Sequence, residues 1–390
     1  MKHYDVIILG AGASGCMCAL SCNKSKSILV VDKLSKAGKK LMATGNGRCN
    51  ITNTQFHPSE KYYNQNIDKF LKRFNYIHTL NFFSNLGLIT LPQENGLIYP
   101  LTNSAKSVIE VINNAIDKNN NINLSLENEI EKVEKIDKIY KVYTKNQVFS
   151  CEKLVVATGG KSAEGIFNNF NLEYKPFIPS LVALRTQSTR SLDGIRVSNV
   201  NIQASCNGKT YSENGEILFK ESGVSGIVAF NISTLFAREN NFNGKIKIDL
   251  LPEIPYSGLI NMLESRKSIN VKVKNFFDGL FLSQIGYFIL NQSKIQNEEK
   301  SCLDLTSSEI EKFAYNIKNI ELKVNGHYDN NQVHSGGICL EELTDNLESK
   351  KHKNLFFCGE VCDIDGICGG YNLQWAWTSG HIVGENLWSN

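Results

Sequence analysis

Short apolar runs that end on glycine or another small residue recur along this chain. They are YDVIIL at 4–9, ILVVD at 28–32, LVVATGG at 154–160 and LFFCGE at 355–360. A continuous apolar run of this kind is typical of a strand that is buried on both faces, as in a parallel sheet. The pattern therefore predicts an α/β fold.

Other segments have different periods. Helical periodicity predicts helices in residues 68–87 and 104–117, and the Lys- and Asn-rich stretch 122–150 predicts a meander of short strands. Residues 184–255 alternate in short strand-like runs such as VNIQASCNGKTY and KIKIDLLP, which predicts a small β-barrel. Residues 256–327 show helical periodicity and predict a small helical subdomain.

Composition narrows the classes of protein that fit. The 390 residues are 42% hydrophobic, which is ordinary for globular domains with cores of their own. A formal net charge of +3 is too small to favour nucleic acid or a membrane as a partner, so we expect a small-molecule substrate instead. The 11 cysteines, an odd number at irregular spacing, favour reduced thiols and a cytoplasmic location over disulfides, and their spacing predicts no metal site.

The first apolar run leads directly into GAGASG, which places Gly10, Gly12 and Gly15 at GxGxxG spacing before a helix-like stretch. In such a unit the first glycine permits the turn, the second lets the backbone approach a pyrophosphate, and the third allows the helix to pack on the strand. The N-terminus of the helix offers free N–H groups to the phosphate. Asp32, at the end of the next strand, is placed to accept hydrogen bonds from a ribose. The stretch predicts a dinucleotide, either NAD or FAD.

Residues 38–53, GKKLMATGNGRCNITN, are too rich in glycine, asparagine and threonine for a regular element, so they predict a loop. A surface loop is the simplest interpretation. Lys39, Lys40 and Arg48 nevertheless bring cations close to the predicted phosphate site. Because open α/β sheets bind ligands where their strands end, the several strand ends indicate one long cofactor that touches all of them.

Six stretches in this order resemble one protein family: GAGASG, GKKLMATGNGRCNITN, GLIYPLTNSAKSV, VVATGG, QVHSGGI and CGEVCDIDGICGGYNLQWAWTSG. They resemble the BaiN/YhiN-like flavoproteins, described as NAD(P)/FAD-dependent oxidoreductases, and the resemblance covers the chain from end to end. Its most specific parts are NGRCNITN and GGYNLQWAW. The resemblance implies a two-dinucleotide-binding-domain flavoprotein, with a Rossmann-like FAD domain and an inserted β-barrel and small helical subdomain.

The domain limits follow from this resemblance. Residues 1–183 and 328–390 would form a discontinuous FAD-binding domain, because both ends of the chain must bind one molecule. Residues 184–255 would form the inserted β-barrel-like domain, and residues 256–327 the inserted helical subdomain.

The resemblance also implies how FAD is held, without a covalent link. GAGASG would bind the pyrophosphate and adenosine, the GE segment the ribitol, and the N-terminus of the last helix the pyrimidine edge of the flavin. The N–H groups around Asn372, Leu373 and Gln374 would stabilise negative charge on the reduced flavin. The candidate cofactor-binding residues are Gly10, Gly12, Ala13, Ser14, Gly15, Asp32, Lys33, Lys40, Thr44, Gly45, Gly47, Arg48, Asn50, Ile130, Thr158, Gly159, Gly359, Glu360, Gly370, Asn372, Leu373 and Gln374.

Several of these residues have a second interpretation. Arg48 would pair with a phosphate, stabilise its loop or bind an acidic substrate. Asn50 would bond the flavin edge or close an Asx-turn. Glu360 would accept a ribitol hydroxyl or form a structural ion pair, and Ile130 would meet the adenine or be an ordinary strand residue. Trp377 lies on a stripe at helical spacing and is predicted to be a core residue.

Two residues are catalytic candidates. His334, in QVHSGGI, is a candidate for moving a proton while hydride passes between the flavin and the substrate. Tyr371 is a candidate for orienting the substrate through its hydroxyl group, with packing as the alternative.

The predicted function is hydride transfer between noncovalently bound FAD and a small unsaturated or amine-type substrate. No second GxGxxG follows a strand, so NAD(P)H would act only as a transient donor. A flavin-dependent RNA-modifying or RNA-binding protein and a non-catalytic FAD-binding protein are the alternatives. Two stretches depart from the family pattern. The segment after Gly160 is several residues shorter. The stretch FKESGVSGIVAF has Glu221 and Ile227 where the family motif often carries a His and an SGP turn.

Overall fold

The chain divides into two compact units. Unit 1 combines Met1–Ile178 with Val333–Asn390, and unit 2 is Pro179–Gln332, so unit 2 is inserted into the sequence of unit 1. The computed structural model describes residues 1–55, 61–62, 67–329 and 332–388.

Strands and short helices alternate along the described residues. The strands are β1 Lys2–Leu9, β2 Ile28–Val31, β3 Thr52–Asn53, β4 Thr90–Pro92, β5 Leu97–Pro100, β6 Ile122–Ser125, β7 Ile130–Ile136, β8 Ile139–Thr144, β9 Val148–Val156, β10 Tyr174–Ser180, β11 Leu184–Thr186, β12 Arg196–Cys206, β13 Lys209–Lys220, β14 Gly223–Ser225, β15 Gly244–Asp249, β16 Ile320–His327, β17 Val333–Ile338 and β18 Leu355–Phe357. The α-helices are α1 Ala13–Ser21, α2 Asp68–Leu71, α3 Tyr76–Asn85, α4 Ala105–Asp117, α5 Glu164–Asn169, α6 Ile227–Arg238, α7 Tyr256–Arg266, α8 Ser283–Ser293, α9 Ser307–Lys318 and α10 Tyr371–Asn386.

The main sheet of unit 1 brings the ends of its apolar strands together. Its order is β6-β2-β1-β9-β8-β7, and β18 also pairs with β9. The pairs among β6, β2, β1, β9 and β18 are parallel. Leu9 is in register with Val31 and with Val156, and Phe357 is also in register with Val156. The carboxyl ends of β1, β2, β9 and β18 therefore lie side by side, where an open α/β sheet binds its ligands.

The apolar runs form this sheet because both of its faces are covered. All four residues of β2 are buried, and so are the last four of β1. The meander predicted for 122–150 is confirmed in β7, β8 and β9, which pair antiparallel in sequence order.

The helix predicted within 68–87 is divided in two, so that part of the prediction is wrong. Asn75 begins a new helix there, because its side chain accepts hydrogen bonds from the N–H groups of Ile77 and His78. The helix predicted at 104–117 is confirmed as α4, with Ser104 as its N-cap.

Unit 2 contains a closed six-stranded barrel in the order β11-β14-β13-β12-β15-β16. Strand β16 lies in the segment predicted to be helical, so that prediction is wrong for 320–327. Ile320, Leu322 and Val324 are buried and alternate with exposed residues, which is the period of a strand with one buried face. The helix α6 lies inside the range predicted as barrel, and eight of its residues are buried.

The packing of the thiols gives a first testable prediction. Nine of the eleven cysteines are buried, while Cys339 and Cys368 are partly exposed. Burial raises the pKa of the Cys16 thiol to about 12 and that of Cys49 to about 11, so the reactive thiolates are scarce at neutral pH. We expect a water-soluble disulfide reagent to titrate two thiols rapidly in the native protein and all eleven after denaturation. More than two rapid thiols in the native protein would contradict this packing.

None of the helices in the described residues combines the length and the apolar character that are needed to cross a membrane.

Candidate active site

The GAGASG turn has a different steric environment at each of its three glycines. Gly10 has a φ of +107°, and a Cβ there would lie 2.4 Å from the carbonyl oxygen of Ala157. A Cβ on Gly15 would lie 1.9 Å from the carbonyl oxygen of Gly10. Apart from Gly12 and its two chain neighbours, no residue of the described chain has a heavy atom within 4 Å of a Cβ built on Gly12. Gly10 and Gly15 are thus required by the protein's own packing, whereas Gly12 borders open space.

The first helix begins beside that open space. Gly12 is the N-cap of α1, and no side chain caps it. The N–H groups of the first turn therefore remain available for an anion. Asp32 supports the turn, because its Oδ2 accepts a hydrogen bond of 2.7 Å from the N–H of Ala11. Its Oδ1 accepts one of 2.8 Å from the N–H of Leu34, and the carboxylate keeps further lone pairs for a ribose hydroxyl.

A second group of residues meets where β9 and β18 end and β17 begins. The Nδ1 of His334 lies 2.7 Å from Oε1 of Glu360, and the backbone N–H of His334 donates to the same oxygen at 3.0 Å. A Cβ on Gly160 would lie 2.6 Å from Nδ1 of His334. A Cβ on Gly159 would lie 3.2 Å from Nζ of Lys40 and 3.8 Å from Oε2 of Glu360. The glycine pair thus leaves room for an acid, a histidine and a lysine in one place.

The glycine-rich loop after β2 is held mainly by its own residues. The guanidinium of Arg48 lies 4.5 Å from the ring centroid of Tyr99, and its Nε donates to the carbonyl oxygen of Gly45. Thr44 donates its hydroxyl hydrogen to the carbonyl oxygen of Leu41 at 2.7 Å. Gly45 and Gly47 have positive φ angles of 55° and 81°. In this structure Arg48 therefore stabilises the loop, one of the roles foreseen for it.

Asn50 does not close an Asx-turn. Its Oδ1 accepts a hydrogen bond from the distant N–H of Ile98 at 3.1 Å. Its Nδ2 lies 3.1 Å from a Cβ built on Gly370, so it faces the start of the last helix. The side chain therefore lies beside that helix N-terminus.

The last helix begins with a bare N-terminus. Gly370 is its N-cap in a left-handed conformation, and no side chain caps it. Among the described residues, no acceptor receives the N–H groups of Asn372 and Leu373. Gln374 differs, because its N–H donates to the carbonyl oxygen of Gly370 and its side-chain amide bonds Thr52 and Thr378. The prediction that Gln374 contacts a ligand is therefore not supported, since its polar groups are used within the protein.

Two residues of the NITN stretch were not singled out from the sequence. Thr52 donates to Oε1 of Gln374 at 2.6 Å, and Asn53 donates from Nδ2 to the carbonyl oxygen of Gly369 at 3.0 Å. Asn53 fixes the loop that precedes the last helix, and Thr52 fixes the first turn of that helix. Both are polar residues that are buried in the two-residue strand β3.

The first and last helices touch backbone to backbone. A Cβ on Gly380 would lie 2.4 Å from the carbonyl oxygen of Ser14, and one on Gly384 would lie 2.5 Å from that of Cys18. The hydroxyl of Ser14 donates to the carbonyl oxygen of Cys358 at 3.2 Å, and it leaves no room for a side chain on Gly359. Ser14 thus joins the first cradle to the GE segment.

Tyr371 and Trp377 are packing residues. The hydroxyl of Tyr371 donates to the carbonyl oxygen of Gln55, its ring packs edge-on against Tyr62, and burial raises its pKa. This contradicts the suggestion that its hydroxyl orients a substrate. Trp377 is fully buried and donates from Nε1 to the carbonyl oxygen of Ile51, which confirms the prediction of a core residue.

Four further candidates have less specific surroundings. Lys33 is exposed and lies 3.8 Å from Glu129. Ile130 is partly buried at the start of β7, and Ala13 is partly buried at the start of α1. The hydroxyl of Thr158 donates only a long bond of 3.4 Å to the next carbonyl oxygen.

The parallel strand ends, the open cradle and the two bare helix N-termini define a Rossmann-like flavoprotein. The chain belongs to the family described as HI0933-like protein Rossmann domain, which it matches over residues 4–386. This confirms the family resemblance found in the sequence. The protein is a FAD-dependent oxidoreductase.

Curated relatives span nearly the whole chain. A 3-dehydro-bile acid delta(4,6)-reductase of Clostridium scindens is 29% identical and covers 97% of both chains. Ribosomal RNA dihydrouridine synthases of Escherichia coli and Haemophilus influenzae are 28% and 29% identical and cover 99% of this chain, and the alignments span 98% and 99% of those proteins. Among solved structures, 3-ketosteroid delta1-dehydrogenase from Sterolibacterium denitrificans has a TM-score of 0.49 at 12% identity, with 99% of both chains covered.

The described residues fit FAD on steric grounds. The open space at Gly12 and the bare start of α1 can receive a pyrophosphate, which needs close backbone approach and N–H donors. The bare start of α10 can receive an electron-rich ring edge. Both features lie in unit 1.

Proposed function

We propose that this protein reduces a carbon–carbon double bond that is conjugated to a carbonyl group. The names of the curated relatives support this reaction class. The two delta(4,6) double bonds of a 3-dehydro-bile acid and the double bond lost when uridine becomes dihydrouridine are all conjugated to a carbonyl group. Reduction of one such bond adds one hydride and one proton. Reduced FAD, when bound, would supply the hydride and return to the oxidised form, and the electron donor would then reduce it again.

The observation that carries the proposal is the His334–Glu360 pair. A reduction of this kind needs a proton donor that is held in one orientation. Glu360 Oε1 accepts from the backbone N–H of His334 and contacts Nδ1 of the same residue, so both the chain and the ring of His334 are fixed. With Nδ1 donating to the carboxylate, Nε2 becomes the nitrogen that exchanges a proton with a substrate.

The neighbouring residues have binding and positioning roles in this proposal. Glu360 orients His334 through Oε1 and accepts a ribitol hydroxyl through Oε2. Lys40 places a cation beside Gly159, close to the predicted phosphates. The N–H groups of Asn372 and Leu373 stabilise negative charge at the pyrimidine edge of the flavin. NADH or NADPH acts as a transient electron donor, without a dinucleotide domain of its own.

The test is anaerobic stopped-flow spectroscopy of the purified holoprotein. We expect NADH or NADPH to bleach the flavin absorbance, and 2-cyclohexen-1-one to restore it as the double bond is reduced. Cyclohexanone, which lacks the double bond, is the matched control and should leave the protein reduced. If dithionite-reduced protein is reoxidised by neither 2-cyclohexen-1-one nor a steroid enone, the proposed reaction is wrong. A lack of bleaching by both nucleotides would instead reject the nicotinamide donor alone.

A second candidate substrate is a uridine base within ribosomal RNA. Two relatives that cover 99% of this chain have names that favour it. The small net charge argues against a large electrostatic footprint for RNA. The reduced holoprotein would be incubated with an unmodified ribosomal RNA transcript, and the digested RNA analysed by mass spectrometry. A gain of two mass units on a uridine identifies this substrate, and its absence alongside enone turnover excludes it.

A further inference from the structure

Unit 2 contains a cluster of cations that shares no residue with the flavin site. The Cζ of Arg185 lies 5.0 Å and the Nζ of Lys220 lies 4.9 Å from the ring centroid of Tyr328. Because both cations contact the same ring, they are separated by about 10 Å or less, which is comparable to the Debye length. We refer to Arg185, Lys220 and Tyr328 as the Tyr328 cluster.

The barrel leaves room for this cluster by placing glycine on both sides of Arg185. Strand β11 lies between β14 and β16, and Arg185 is in register with Gly223 on one and with Gly326 on the other. Neither neighbour has a side chain that could cover the arginine. The Tyr328 ring fills the space at Gly223, where a Cβ would lie 3.0 Å from Cε2 of the ring.

The tyrosine ring is fixed, so the cluster has a defined shape. Its hydroxyl donates to the carbonyl oxygen of Ser222 at 3.2 Å. The backbone N–H of Tyr328 donates to the carbonyl oxygen of Ala183 at 2.9 Å. The backbone oxygen of Ser222 also accepts the N–H of Thr186 at 3.1 Å. These bonds tie the ring to the strands that present the two cations.

The two cations have no counter-ion within the described chain. Neither Arg185 nor Lys220 forms an ion pair with a described carboxylate, whereas Arg190 pairs with Glu221 and Arg196 with Glu216 at 2.6 Å. The attraction of a cation to an exposed ring contributes only about 0.5–1 kcal/mol. That attraction satisfies neither the hydrogen-bond donors of the guanidinium nor those of the ammonium.

We propose that the Tyr328 cluster is a binding site for an oxyanion, namely a carboxylate or phosphate group of a small ligand. The guanidinium of Arg185 presents paired donors that match either group, and the ammonium of Lys220 adds a point charge. Lys220 is half-buried and Arg185 is exposed, so a ligand can reach the pair from solvent. Ser222, whose carbonyl oxygen accepts the hydrogen bond from the Tyr328 hydroxyl, is also exposed. This site goes beyond the proposed redox reaction and does not depend on it.

The experiment is equilibrium dialysis of the holoprotein against radiolabelled inorganic phosphate, and in a second arm against radiolabelled acetate, at constant ionic strength. We expect saturable binding of at least one probe, and the tighter probe identifies the anion class. Arg185→Met and Lys220→Met should each weaken binding at least tenfold, and Arg185→Lys should weaken it less. Bound flavin and circular dichroism report whether each variant is folded.

Arg190→Met is the matched control, because it removes the same charge from a neighbouring arginine that is already paired with Glu221. Binding should be unchanged in this variant. The proposal is overturned if the wild-type protein binds neither probe, or if Arg190→Met loses as much affinity as Arg185→Met. Enone turnover is not part of the readout, so a failure of the proposed reaction leaves this test valid.

Discussion

Replacement of Gly12 by alanine is expected to remove FAD from the protein while leaving its fold intact. Apart from the two chain neighbours of Gly12, a methyl group at this position meets no heavy atom of the described protein within 4 Å, so it would occupy the space that a pyrophosphate needs. Gly12 also has an extended conformation, φ −76° and ψ −169°, that alanine adopts without strain. Loss of one or two hydrogen bonds to a charged phosphate, at about 1.5–3 kcal/mol each, weakens FAD binding roughly 100-fold or more.

The measurement is the dissociation constant for FAD, together with the melting temperature of the apoprotein. Two other glycine variants are controls. Gly165→Ala also introduces a methyl group into open space, but in α5, and should retain FAD. Gly15→Ala places a Cβ 1.9 Å from a carbonyl oxygen and should lower the melting temperature of the apoprotein itself. Stoichiometric FAD in purified Gly12→Ala would show that the pyrophosphate does not lie at this turn.

Replacement of His334 by glutamine is expected to slow reduction of an enone by about 100-fold to 10,000-fold, the range that general acid catalysis usually contributes. The glutamine keeps a polar side chain beside Glu360 but cannot deliver a proton in the physiological pH range. Binding of FAD should be retained, because the remaining cradle is unchanged. The rate of reoxidation of the dithionite-reduced protein by 2-cyclohexen-1-one measures the effect.

Reoxidation by molecular oxygen provides an internal reference for this variant, since it needs no proton from His334 to a carbon atom. It should proceed at the wild-type rate. His3→Gln is the matched control substitution, because His3 is exposed at the start of β1 and its ring bonds only Ser150 among the described residues. Equal enone rates for His334→Gln and the wild type would remove His334 from the mechanism and leave it a structural role.

The features that could be predicted from the sequence are those with a local cause. The GxGxxG spacing predicts a turn whose geometry depends on residues a few positions apart, and the structure places Gly10 and Gly15 in close contact. Trp377 could be assigned to the core because helical spacing alone determines which face it occupies. The apolar runs predict strands because each run is buried as a unit.

The features that were missed depend on partners far apart in the chain. Gln374 lies next to two glycines and was predicted to contact a ligand, but Thr52 and Thr79, about 300 positions away, donate hydrogen bonds to its Oε1 in the interior. Tyr371 similarly lies against Tyr62 and Gln55. Strand β16 was missed because its alternation of buried and exposed residues is short and follows a helix. Its pairing with β11 and with β15 in the barrel identifies it as a strand.

The backbone contact between α1 and α10 has a consequence for the order of events during translation. Gly380 and Gly384 seat the last helix directly on the first, and Ser14 bonds the GE segment. At ribosomal rates of about 5–20 residues per second, α1 waits roughly 20–70 s for this partner to be synthesised. Throughout that interval the nascent chain carries half of a nucleotide site with an uncovered apolar helix face. We therefore expect FAD to bind only after α10 has been synthesised and has packed on α1.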